Sequence, residues 1–184
     1  MEISIIVRFY NEEAYLPQLM EVLAQQEFPT GEFEILAIDN YSTDSSREVV
    51  SRYTRNILSV DDYRPGKALN LAIGESRSKY IAVVSAHAIP SNRAWLRTLH
   101  AHMSNELVAG VYGAQLYPAD SRFLDKRDLD IFSTLTPRVE KEDSDFWNAN
   151  SMFRRALWEV QPFDETVYEL EGELVPSSVP RPLQ

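Results

Sequence analysis

A chain of 184 residues, 44% of them hydrophobic, can bury one substantial core. Its formal charge of -10 disfavours a broad nucleic-acid-binding surface. No apolar run approaches the roughly 20 residues that cross a bilayer, and Met1-Glu2 running straight into a strand lacks the basic leader of a signal peptide. Without cysteine there is no disulfide, thiolate nucleophile or thiolate metal site, which suits a reducing cytoplasm.

Residues 3–7 form a nearly all-apolar first strand that is broken at its carboxyl end by residues 8–11. Asn11 is placed to cap a helix with Glu12 and Glu13 in its first turn, and Leu16, Leu19, Met20 and Leu23 give that helix an apolar stripe. Residues 29–31 turn back into a strand over 35–38, which is apolar throughout and halts at Asp39. A carboxylate therefore stands at the carboxyl end of a buried strand. Ser45, with Glu48 three places on, reads as a capping box opening a helix over 45–53. This is a β-α-β unit, whose strands should be parallel and whose connection should be right-handed.

The pattern repeats with a third strand over 56–60, a polar loop over 61–66, and a helix over 67–76 with Ala68, Leu69, Ala72 and Ile73 on one face. A buried strand over 80–84 ends at Ser-Ala-His-Ala-Ile-Pro, residues 85–90. Ser91 or Asn92 can cap a helix whose apolar face is Trp95, Leu96, Leu99 and Met103, and His100 and His102 belong to the surface of that helix. Residues 108–116 read as a strand weakened by Gly110 and Gly113, and 117–142 as a long loop with a short helix over 125–132. A strand over 146–151 and a helix over 151–160 follow. The proline-rich residues 172–184 should be poorly ordered. The expected architecture is one α/β domain over 1–171, a mostly parallel sheet between helices, with three sets of polar side chains at strand ends. Ligands of open α/β sheets bind in the crevice beyond those ends.

Four blocks, at residues 3–13 (Ile-Ser-Ile-Ile-Val-Arg-Phe-Tyr-Asn-Glu-Glu), 37–44 (Ala-Ile-Asp-Asn-Tyr-Ser-Thr-Asp), 66–72 (Gly-Lys-Ala-Leu-Asn-Leu-Ala) and 84–90 (Val-Ser-Ala-His-Ala-Ile-Pro), together resemble the family 2 glycosyltransferases. That family has the GT-A fold, a Rossmann-like nucleotide-sugar-binding domain. A fifth block, 148–155 leading into 162–165, is similar to the one preceding the family's acceptor-side acids. The resemblance implies that Phe9 and Tyr10, with Glu12 nearby, and Asp39 hold the base and ribose of a nucleotide-sugar donor. Asp39, an acceptor-only group when ionised, would take a hydrogen bond from the base N–H. Asp44 matches an acid that shapes the loop. Lys67 would meet the diphosphate as a point charge beside the exposed N–H groups of a helix start. Ser85 and His87 would line the donor sugar or a metal, and Asn148, Asn150 and Ser151 the acceptor.

Two departures from the family pattern bear on chemistry. Most members carry an Asp-x-Asp motif whose carboxylates hold a divalent metal on the diphosphate, where this chain has Ser85-Ala86-His87. A neutral imidazole suits Mn²⁺ better than the oxygen-seeking Mg²⁺, so His87 is the metal candidate and Mn²⁺ or Mg²⁺ the expected cofactor. An inverting transferase also needs a carboxylate to take the proton of the acceptor hydroxyl. Counting on from residues 163–165, the family's Glu-Asp pair falls at Glu171-Gly172, which makes Glu171 the candidate base, with Glu169 or Glu173 as substitutes. Where family members usually continue into a further helix, this chain turns into its proline-rich segment.

The first expectation is thus an inverting transferase acting in the cytoplasm on a polysaccharide, lipopolysaccharide or other carbohydrate or lipid-linked acceptor. The second is a transferase-like protein that binds a nucleotide sugar without turning it over, a reading favoured by Gly172 and the short C-terminus. Both predict nucleotide binding and only the first predicts transfer. A nucleotidyltransferase is disfavoured, since no glycine-rich loop follows Val7.

Overall fold

The structure is a computed structural model that describes residues 1–29, 32–115, 139, 146 and 148–167. In chain order its elements are β1 (Ile3–Phe9), α1 (Leu16–Ala24), β2 (Phe33–Asp39), α2 (Ser46–Ser51), β3 (Ile57–Ser59), α3 (Pro65–Glu75), β4 (Tyr80–Ser85), α4 (Trp95–His102), β5 (Gly110–Tyr112), β6 (Asn150–Arg154) and α5 (Arg155–Val160). The six strands form one sheet in the order β3-β2-β1-β4-β6-β5. The pairs from β3 to β4 are all parallel, and β6 runs antiparallel to both its neighbours. The sheet is therefore mostly parallel, as expected.

Helices cover both faces, which is why β1 and β4 are apolar without alternation. On one face Ile3, Ile5, Val7 and Phe9 pack with Leu16, Leu19, Met20 and Leu23 of α1 and Leu96 and Leu99 of α4. On the other, Ile6, Leu36, Ile38, Ile81 and Val83 meet Ala68, Leu69, Ala72 and Ile73 of α3. The four α1 side chains are fully buried. At about 1.5–3 kcal/mol for each such residue, the stripe rather than helix propensity holds α1 in place.

Register brings the strand ends level. Phe9 pairs with Asp39, Asp39 with Ser59, and Arg8 with Ser85, so β1 to β4 present their carboxyl ends along one rim. At the opposite, amino end, Ser4 Oγ donates to Glu34 Oε1 at 2.7 Å and lies 2.7 Å from Ser76 Oγ and 2.9 Å from Ser78 Oγ.

Several local expectations are corrected. The first helix opens at Leu16 with Pro17 in its first turn, five residues after Asn11, so Asn11 does not cap it. Instead Asn11 has φ 51° and its Oδ1 accepts the Thr43 N–H at 2.8 Å. No capping box forms at Ser45, which makes no side-chain cap bond. Asp44 accepts the Ser46 N–H at 2.9 Å and Glu13 the Ser45 N–H at 3.0 Å, so acids outside the helix satisfy its first donors. The strand expected at 146–151 lies at Asn150–Arg154, because Met152 and Phe153 are the residues buried against the sheet, and α5 is confined to Arg155–Val160. The strand expected over 108–116 is described only as Gly110–Tyr112. The helix over 125–132 and residues 172–184 lie outside the described residues.

Candidate functional site at the strand ends

Loops after β1 and β2 are tied together at the rim. The Asn11 N–H donates to Ser42 Oγ at 3.1 Å, the Glu12 N–H to Ser46 Oγ at 2.7 Å and the Glu13 N–H to Asp44 Oδ2 at 3.2 Å. Partial desolvation of the Asp44 carboxyl opposes ionisation, but hydrogen bonds from the Ser46 hydroxyl, the Ser46 N–H and the Glu13 N–H outweigh it and hold the group below its usual value. Asp44 thus shapes the loop, the part its place in the motif implies.

Asp39 is 2% exposed, and both its oxygens are engaged. Oδ1 accepts the Ser42 N–H at 2.8 Å, and Oδ2 accepts Arg47 Nη1 at 2.9 Å. Arg47, half exposed on α2, also donates to Ser59 Oγ at 3.1 Å. A carboxylate has about four acceptor positions, so these two bonds leave capacity for a base N–H. Phe9 is buried beneath the rim, while Tyr10 is 53% exposed on it.

The α3 side carries the cations. Lys67 Nζ donates to the carbonyl of Asp61 at 2.5 Å and reaches that of Asp62 at 3.5 Å. Arg8 projects from β1 on this same face, and its Nε is buried with no partner among the described residues. Just behind, Asn70 gathers the segment after α5. Its Oδ1 accepts Trp158 Nε1–H at 2.7 Å and the Phe163 N–H at 3.0 Å, and its Nδ2 donates to Phe163 O and Glu165 Oε1, each at 2.9 Å. Gly66 permits this docking, since a Cβ there would lie 2.2 Å from the Asp164 carbonyl oxygen. Residues 163–165, the segment that leads toward Glu171, are thereby held against the start of α3. Glu171 itself lies outside the described residues.

At the end of β4, Ser85 is half-buried and His87 exposed. His87 Nδ1 is 3.7 Å from Glu12 Oε1, and its ring meets Tyr15 edge-on. This pair joins two of the motif residues across different loops. Among the described residues no group of three or more His, Cys, Asp or Glu is arranged to hold a metal. Beyond, Asn148 and Ser151 are buried with Ser151 Oγ 3.4 Å from Asn148 Oδ1, and half-buried Asn150 accepts Trp95 Nε1–H at 2.6 Å.

Sequence reasoning passed over Arg47 and Arg8. Arg47 lies eight residues from Asp39, far enough for only the helix turn to bring it back. The signal for Arg8 was present, a cation at the end of an apolar strand. No helix of the described residues is long and apolar enough to cross a membrane.

Known proteins resemble this chain over most of its length. Poly(ribitol-phosphate) beta-N-acetylglucosaminyltransferase TarS of Staphylococcus aureus (strain Mu50) is 33% identical over 92 residues, 47% of this chain and 16% of that protein. Poly(ribitol-phosphate) beta-glucosyltransferase of Bacillus spizizenii is 29% identical over 151 residues, 78% of this chain and 23% of that protein. The chain therefore spans less than a quarter of the length of either relative. The crystal structure of S. aureus TarS 1-349 in complex with UDP has a TM-score of 0.70 at 20% identity, covering 93% of this chain and 52% of that one. The mannosyltransferase PcManGT from Pyrobaculum calidifontis, in complex with GDP-Man and Mn²⁺, has a TM-score of 0.67 at 21% identity, covering 90% and 48%. At such identities the likeness establishes the GT-A fold and no more. The family profile described as Glycosyl transferase family 2 matches residues 4–160, and on that match the chain belongs to glycosyl transferase family 2.

Proposed function

We propose that this chain forms the donor-binding part of an inverting glycosyltransferase that moves a sugar from a nucleotide-sugar donor to a carbohydrate polymer or lipid-linked acceptor. The observation that carries the reading is the level rim at the parallel strand ends. There a buried acceptor, Asp39, shares the rim with the cations Arg8 and Lys67 and with the Glu12–His87 pair. Family membership and the names of the relatives support it, and poly(ribitol phosphate) is the first acceptor to try. We assign the activity to the cytoplasm, in keeping with a cysteine-free chain.

In this reading Asp39 and Tyr10, over Phe9, take the base, while Lys67 and Arg8 face the diphosphate. Lys67 would exchange the Asp61 carbonyl for phosphate oxygen. Glu12, Ser85 and His87 line the sugar end. The Glu12–His87 pair fits a divalent cation in part: one imidazole and one carboxylate suit Mn²⁺ if diphosphate oxygens complete the set. Such an ion would neutralise charge developing on the leaving diphosphate. The acceptor hydroxyl oxygen attacks the anomeric carbon and loses its proton to a carboxylate, for which Glu171 is the candidate, as the bond from that carbon to the diphosphate breaks. Asn150 is the acceptor-side group, backed by Asn148 and Ser151.

Calorimetric titration with UDP, GDP and dTDP, with and without Mn²⁺, tests the donor site, and sugar release from the matching donor tests turnover. Binding with release is expected. Binding without release, either alone or with poly(ribitol phosphate), would favour the non-catalytic alternative, and absence of binding would refute both.

A further inference from the structure

Tyr41 stands in a backbone conformation that a side chain of its size rarely adopts, with φ at 56°. Asn11 and Asp62 occupy the same region at 51° and 50°, but Asn and Asp are the residue types that tolerate it and Tyr is not. The chain fixes this geometry from both sides. The Asn40 N–H donates to Phe9 O at 3.1 Å, and the Ser42 N–H to Asp39 Oδ1 at 2.8 Å. A glycine would make the same turn without strain.

Burial does not offset the strain, because Tyr41 is 55% exposed. Its hydroxyl is drawn to the Asp61 carboxylate, which raises its pKa and ties the ring to the loop whose carbonyl holds Lys67. Tyr10, equally exposed, follows Phe9, the partner of Asp39 in the ladder. Two open aromatic side chains thus follow the paired ends of adjacent strands, beside the Asp39–Arg47 ion pair. Strained backbone that the surroundings over-determine marks ligand clamps, and an open ring is a face on which a planar heterocycle stacks.

We propose that Tyr41 is a stacking platform for the nucleobase of the donor, an affinity-giving contact that rests on the donor-site reading of this rim. Stacking accepts any base, so Tyr41 supplies affinity, while the hydrogen bonds of Asp39 discriminate among bases.

The test titrates wild type, Tyr41→Phe, Tyr41→Ala and Tyr41→Gly with UDP, GDP and dTDP, and measures the melting temperature of each. Tyr41→Ala and Tyr41→Gly should weaken the best-bound nucleotide by about 5- to 100-fold, the range of a single base–aromatic stack. Tyr41→Phe should change it by less than about threefold, since the ring remains. Tyr41→Gly, relieved of strain, should melt at or above wild type. Unchanged affinity in Tyr41→Ala would overturn the proposal alone, as would a loss in Tyr41→Phe equal to that in Tyr41→Ala. A Tyr41→Gly variant that melts well below wild type would show that the side chain serves the fold, and would also overturn it. Failure of wild type to bind any of the three nucleotides would instead sink the donor-site reading and the platform with it.

Discussion

At the amino end of the sheet, Ser4, Ser76, Ser78 and Glu34 close on one another. At the carboxyl end, by contrast, Arg8 Nε has no partner among the described residues, Tyr41 is strained and exposed, and Asp39 keeps acceptor capacity. Both ends of a parallel sheet expose the same kind of polar termini to their loops. The difference is that short serine hydroxyls satisfy one end from within the chain, while the other holds charged and aromatic groups in place with part of their bonding left over. The first arrangement stabilises a fold, and the second suits a ligand.

The substitution with the largest expected effect breaks this simple division. Gly66→Ala lies at the carboxyl end, yet it should cost about 3 kcal/mol of stability by chemical denaturation, because the added methyl meets a backbone oxygen that cannot rotate away. A cost under about 0.5 kcal/mol would mean that residues 163–165 are not docked there. At the amino end, Ser4→Ala should cost about 1–2 kcal/mol by leaving buried hydroxyls short of a partner, with nucleotide affinity untouched. Asp39→Asn sharpens the contrast in the other direction. It should lower stability by about 1 kcal/mol through the weakened Arg47 bond and nucleotide affinity about tenfold. Unchanged affinity would remove Asp39 from the base site.

The smallest effect should come from Asp44→Asn, and it depends on pH. Asp44 has a depressed pKa in the fold, so its contribution is fully present above the unfolded value of about 3.9 and is lost as pH falls through the folded value. The melting-temperature gap between wild type and Asp44→Asn should therefore be constant near neutrality and close below about pH 4. A gap independent of pH would locate the effect in something other than the carboxylate's charge.

Much of the fold was legible because apolar runs and stripes report burial directly. Ile5 and Val7 face one layer, Ile6 the other, and Leu16, Leu19, Met20 and Leu23 line α1, all as their spacing requires. The family blocks likewise carried Asp39, Lys67 and His87 to one rim. Where local chemistry was read without its surroundings, it misled. Asn11 has the composition of a cap, but the loop after β2 competes for its side chain, and Pro17 sets the helix start instead. Ser45 and Glu48 fit a capping box, but Glu13 takes the Ser45 N–H that Glu48 would have reached, and Asp44 takes the Ser46 N–H.

By itself, then, the sequence determined the alternation of strands and helices, the carboxylate ending β2 and the family, since each is written in residues close together in the chain. Only the tertiary structure decided which polar groups meet. Bonds such as Arg47 to Asp39, Asn70 to Phe163 and the Glu12–His87 approach join separate elements. Register and packing across the sheet place them, and no periodicity along the chain encodes that geometry.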